Sequence, residues 1–131
     1  MNRYFLETSA IVGYLRGKRE FIDRIDNLSG ELTSSFVCLA ELYEGIFRVK
    51  LRDETERAVL DFFSGLSEIY GLDEDIAKNF GQIRKELKEI GRVIEDIDIF
   101  LAATCISYKL IMVTSNLKHF RRVPDLKIIE V

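Results

Sequence analysis

The sequence predicts an α/β fold: a three-layer α/β/α sandwich around a mainly parallel sheet of about five strands. Short apolar runs that read as strands alternate along the chain with segments of ten or more residues at helical spacing. Connections of that length are crossovers, so the strands they join run parallel. Crossovers are right-handed, which places helices on both faces of the sheet. With 131 residues, one proline and neither repeat nor linker, residues 1–131 read as a single domain.

The first strand is read over Arg3–Leu6, and Thr8 or Ser9 can cap a short helix that runs to about Arg16 and stops at Gly17. The stretch KREFIDRIDNL gathers Phe21, Ile22, Ile25 and Leu28 on one stripe, a second helix. ELTSS is a brief strand and turn whose Ser35 caps the helix FVCLAELYEGIFRVK. Asp53 and Glu56 have the spacing of a capping box opening the next helix. SEIYGL is a third strand, and the following helix carries Ile76, Phe80, Ile83, Leu87 and Ile90 on one face until Gly91 closes it. EDIDIFLAATCISYKL is apolar or small over most of its circumference and so reads as a buried helix. LIMVTSN and KIIEV complete the strands.

Composition excludes several classes. A net charge of −3 gives no bulk case for nucleic-acid binding, so any such function needs a local site. No run approaches the roughly 18–20 apolar residues of a membrane span. Glu7 interrupts the apolar N-terminal region, against a signal peptide, and a cytoplasmic location is expected. Cys38 and Cys105 sit in apolar stretches without CxxC spacing and read as reduced core thiols. Neither a zinc-type Cys/His cluster, a glycine-rich phosphate loop nor a Ser-His-Asp trio is present.

What remains is acidic. Glu7 ends the first strand, Glu41 lies in the helix after the second, Asp98 falls in the first turn of the buried helix, and Asn116 follows the fourth strand. In a parallel sheet all four reach the carboxyl ends of the strands, where such folds place their sites. Carboxylates crowded there repel one another, and a shared proton or a hard divalent cation relieves them. Mg²⁺ or Mn²⁺ held by two or three carboxylates suits hydrolysis of a phosphodiester, because the ion acidifies water and steadies the leaving oxygen.

FLETSAIVGYL, LAELYEG, EDIDIFLAA and VTSNLKHFRRVPDLKIIEV, in this order and spacing, resemble the PIN domains of VapC-like ribonuclease toxins over nearly the whole chain. The resemblance implies an α/β/α sandwich, Mg²⁺- or Mn²⁺-dependent RNA cleavage, a homodimer and a cognate antitoxin. By position it makes Glu7, Glu41 and Asp98 the catalytic residues and metal ligands, with Asn116 completing the pocket. The family begins with Asp where this chain has Glu7, one methylene longer. Mg²⁺ demands ligands at ~2.0–2.1 Å in near-octahedral array, so the expectation is a retained but weaker site, more tolerant of Mn²⁺.

Other residues carry two readings. Asp96 stands where an N-cap would, and it can also help orient a ligand of the ion. Thr8, Thr114 and Ser115 are capping or strand-end hydroxyls that can also hold water or phosphate. Lone His119 reads as a surface or packing residue. Arg16-Lys18-Arg19 and Lys118-Arg121-Arg122 read as solvated faces or, flanking an acidic pocket, as holders of RNA phosphates. Two alternatives accompany the ribonuclease: an inactive PIN domain that only binds partners, and a phospho-acceptor receiver domain, for which Gly71-Leu72 stands in place of the acceptor Asp.

Overall fold

The computed structural model describes residues 1–131. In chain order it consists of β1 (Asn2–Leu6), α1 (Thr8–Leu15), α2 (Arg19–Asp26), β2 (Gly30–Ser35), α3 (Phe36–Arg48), α4 (Arg52–Ser64), β3 (Glu68–Tyr70), α5 (Glu74–Glu89), α6 (Asp96–Tyr108), β4 (Ile111–Thr114), α7 (Leu117–Phe120) and β5 (Ile128–Glu130). Every strand pair is parallel, and the sheet order is β3-β2-β1-β4-β5. The α/β/α expectation holds.

This order decides where a site can form. From β1 the chain moves to one side through β2 and β3, then returns past β1 to lay down β4 and β5. The crevice between the carboxyl ends of β1 and β4 is therefore the switch point, where open α/β sheets take their ligands. Leu6 pairs with Val113 in register, and the Glu7 N–H donates to the Val113 carbonyl at 3.0 Å. Glu7 and Thr114 thus emerge side by side. A receiver domain has the order 2-1-3-4-5, so the receiver alternative is overturned.

The centre of the sheet is covered on both sides. Phe5, Leu6, Met112 and Val113 are fully buried, as the near-continuous apolar runs of parallel strands require. α6 buries Ile99 and the whole stretch Leu101–Cys105, which explains why it has no polar face. Phe80 of α5 stacks on Phe100 of α6 with centroids 4.1 Å apart. Cys38 and Cys105 are free, buried thiols, and the apolar surroundings push Cys38 up to about 12. No helix is long and apolar enough to cross a membrane.

Four local expectations are corrected. α1 is capped by Glu7, whose side chain accepts from the Ser9 N–H, and Thr8 and Ser9 are already helical. The Asp53–Glu56 capping box does not form: α4 starts at Arg52, and Glu56 instead accepts from the Tyr43 hydroxyl at 2.7 Å. At the start of α6 the N-cap position is Glu95, which makes no side-chain cap, and Asp96 is the first helical residue. On α5, Ile76, Ile83 and Leu87 are buried but Ile90 is 59% exposed, because the helix ends before the stripe does. The four-residue helix α7 was not expected; it is too short to leave a periodic signal.

Candidate active site

Glu7 is the best-held carboxylate in the molecule. It is buried at the end of β1, and its Oε1 accepts from the Ser9 N–H at 3.2 Å, the Ser9 hydroxyl at 2.5 Å and the Thr114 hydroxyl at 2.6 Å. Ser9 Oγ accepts in turn from the Ser115 N–H at 2.9 Å, and Thr114 Oγ1 from the Asn116 N–H at 2.9 Å. The end of β4 is thereby stitched to the start of α1, across more than a hundred residues of sequence. Glu7 Oε2 takes no hydrogen bond, yet no buried side-chain oxygen or nitrogen lacks a partner. It follows that Oε2 keeps some access to solvent.

Glu41 and Asp98 arrive from opposite layers. Glu41 projects from the second turn of α3, half-buried, with Oε1 accepting from the Thr8 hydroxyl at 2.6 Å. Asp98 sits in the first turn of α6, buried, and its Oδ2 lies 3.3 Å from His119 Nδ1 on α7. The Asn116 side-chain amide lies 3.1 Å from the same ring nitrogen. Nδ1 can accept from Asn116 or donate to Asp98 but not both, so the tautomer of His119 selects its partner. Protonation of the ring commits it to Asp98.

All three carboxylates are harder to ionise than usual. Burial is the main cause for Glu7, opposed by its bonds from Ser9 and Thr114, and the charge of Asp98 adds to the upward push. Burial also leads for Glu41, against the Thr8 hydrogen bond, with Glu7, Glu95 and Glu44 adding repulsion. For Asp98 burial again comes first, His119 lowers, and Glu41 and Glu95 raise. Glu7, Glu41 and Asp98 therefore repel one another around a closed triangle, and no lysine or arginine pairs with any of them. Such a set is hard, oxygen-only and in need of positive charge, which in kind fits Mg²⁺ or Mn²⁺. No three of these groups stand close enough together to enclose an ion by themselves, and a cation that keeps several waters, as Mg²⁺ does, does not require that they do.

The remaining sequence candidates divide. Thr8 and Thr114 position Glu41 and Glu7; Ser115 contributes its backbone N–H, while its side chain is exposed; Asn116 faces His119 rather than a carboxylate. Asp96 does not reach the crevice, because it is exposed and paired with Arg84 of α5 at 3.0 Å. The sequence reading missed Ser9 as the central hydrogen-bonding group, Glu95 as a fourth negative charge and His119 as the neighbour of Asp98. Only the last left a trace, being the one histidine and three residues after Asn116.

An all-parallel sheet in the order β3-β2-β1-β4-β5, with carboxylates converging at its switch point, defines a class of fold and site. The chain belongs to the PIN domain family, whose model matches residues 4–126. Within that family it is 31% identical over 128 residues to Ribonuclease VapC2 of Haemophilus influenzae, covering 97% of this chain and 96% of that one. It is likewise 31% identical over 129 residues to the tRNA(fMet)-specific endonuclease VapC of Salmonella typhimurium, covering 98% and 97%. Among solved structures, a DNA-bound VapBC from Salmonella typhimurium superposes with a TM-score of 0.90 at 27% identity, covering 99% of this chain and 98% of that one.

Proposed function

We propose that this chain is the ribonuclease toxin of a toxin–antitoxin pair and hydrolyses RNA phosphodiesters at the β1/β4 crevice. The observation that carries this reading is the cluster of Glu7, Glu41 and Asp98, mutually repelling and paired with no lysine or arginine. These three would hold a divalent cation, Mg²⁺ or Mn²⁺. When bound, such an ion acidifies water and offsets charge on the phosphoryl oxygens.

The chain's own residues do the positioning. Ser9 and Thr114 fix one oxygen of Glu7 and leave the other free of hydrogen bonds. Thr8 orients Glu41, which is the candidate to accept a proton from the attacking water. His119 holds Asp98 and stands at the rim, within reach of Asn116. A cognate antitoxin belongs to the same reading. The VapBC neighbour supports it, as does an apolar groove between α1, α3 and α4 lined by Leu15, Leu42, Ile46, Val49, Leu51 and Val59. A homodimer, a cytoplasmic location and a single domain complete the proposal.

Cleavage of a defined set of RNAs with Mg²⁺, Mn²⁺ or EDTA, by wild type and Asp98→Asn, is the test. Cutting that needs the metal and fails in the variant is expected; equal cutting by both proteins sinks the assignment. One observation favours a second reading, a PIN domain that binds partners without cutting. Glu7 has an oxygen committed to three hydrogen bonds, and no ready three-acid cage exists. Under that reading wild type is inert with every metal while still binding its antitoxin.

A further inference from the structure

Beside the acidic crevice lies a hollow of the opposite sign. Arg92, Lys118, Arg121 and Arg122, with Gly91, line a space of about 680 Å³ that no apolar side chain enters. The hollow adjoins the Asp98 side of the crevice. Gly91 and Arg92 lie in the loop before α6, which bears Asp98, and Lys118 precedes His119, whose ring meets Asp98. Arg122 ties these segments together by donating to the Val93 carbonyl at 3.3 Å.

None of the four cations is in an ion pair, although the chain's net charge is −3 and acidic residues outnumber basic ones. Four like charges converging without a carboxylate among them repel each other, so the arrangement favours an anion. Guanidinium groups present planar forks that match phosphate oxygens. With no aromatic or apolar wall and four cationic groups, the hollow favours the sugar–phosphate backbone over a base face.

We infer that this hollow holds a backbone phosphate of the RNA on one flank of the scissile bond. The inference rests on the ribonuclease reading and adds a sequence-blind anchor to it. The crevice alone is negative and repels RNA, and the adjoining positive hollow supplies the attraction that brings the strand to it.

Binding of labelled single-stranded RNAs in EDTA, followed by anisotropy, separates the anchor from the chemistry. Arg92→Ala with Arg121→Ala should weaken binding about tenfold, as loss of charge-assisted contacts does. The slope of log K against log salt should fall by about 1.4, at roughly 0.7 per single-strand phosphate contact. The loss should be alike for RNAs of different sequence, and in cleavage it should raise KM more than it lowers kcat. Lys50→Ala with Lys78→Ala, exposed and far along the chain, removes equal charge and should leave binding near wild type.

Wild-type affinity in the hollow variant, or an equal loss in the control pair, overturns the inference. The first result would leave the hollow to an acidic protein partner instead. A wild type that cuts RNA while the hollow variant binds normally defeats the inference alone. A wild type that never cuts yet binds RNA through the hollow defeats only the nuclease reading.

Discussion

Glu7, at the end of the central strand β1, and Asp73, just beyond the edge strand β3, both cap the helix that follows. Each accepts a backbone N–H, from Ser9 at 3.2 Å and from Ile76 at 2.9 Å, and each also accepts from hydroxyls, Ser9 and Thr114 for one and Tyr108 for the other. Their protons nonetheless behave oppositely. The hydrogen bonds of exposed Asp73, that of Tyr108 first, hold its carboxyl below the usual range, whereas burial beside Asp98 pushes Glu7 up despite more hydrogen bonds. Capping therefore explains Asp73 completely and Glu7 only in part. What remains at Glu7 is burial beside other carboxylates, which a helix cap does not require and which supports its place in the proposed site.

The sharpest break between the two regions is in activity. Asp98→Asn should slow RNA cleavage by at least about 100-fold, the scale lost with a metal ligand or its support. Its thermal midpoint should not fall, since a buried carboxylate repelled by Glu41 is removed. A large fall in stability would make Asp98 structural instead. Asp73→Ala should leave cleavage unchanged and lower Tm by a few degrees through loss of the α5 cap.

Glu7→Asp sharpens the comparison from the other side. Aspartate keeps the preferred cap on Ser9 and shortens the arm toward the crevice, so cleavage should rise severalfold with Mg²⁺ and less with Mn²⁺. No gain with either metal refutes the view that the extra methylene weakens the site.

The smallest effect is on stability against pH. Because the folded-state value of Glu7 lies above its ordinary 4.5, the folded protein binds more protons than the unfolded chain within that window. Its contribution to stability thus falls as pH rises above about 4.5 and stays lower at neutral pH. Asp73 runs the other way: its contribution is present above 3.8 and is lost as pH falls through the depressed value. Glu7→Gln, whose amide oxygen can still accept from Ser9 and Thr114, should raise Tm near neutrality, with the advantage closing as pH falls toward 4.5. Melting curves across that range check the sign.

The same contrast explains what could be read from the residues alone. Glu7, Glu41 and Asp98 were legible because strand–helix alternation sets a parallel sheet, and a parallel sheet brings its strand ends to one side. The basic residues around α7 were visible as a run, but not their convergence with Arg92, which comes from a different loop. The hydrogen bonds of Ser9 to Thr114 and Ser115 span 105 and 106 residues and have no local pattern. Capping positions misled for a related reason. Asp53 and Asp96 carry the right side chain one or two places into their helices, where the Leu51 and Glu95 backbones had already begun the turn.

Titration with Mn²⁺, followed by calorimetry on wild type and Asp98→Asn, asks whether the three carboxylates act on one ion. Binding by wild type that weakens at least about tenfold in the variant is the expected result. Equal affinity in the two proteins, or none in wild type, would contradict the account at its root.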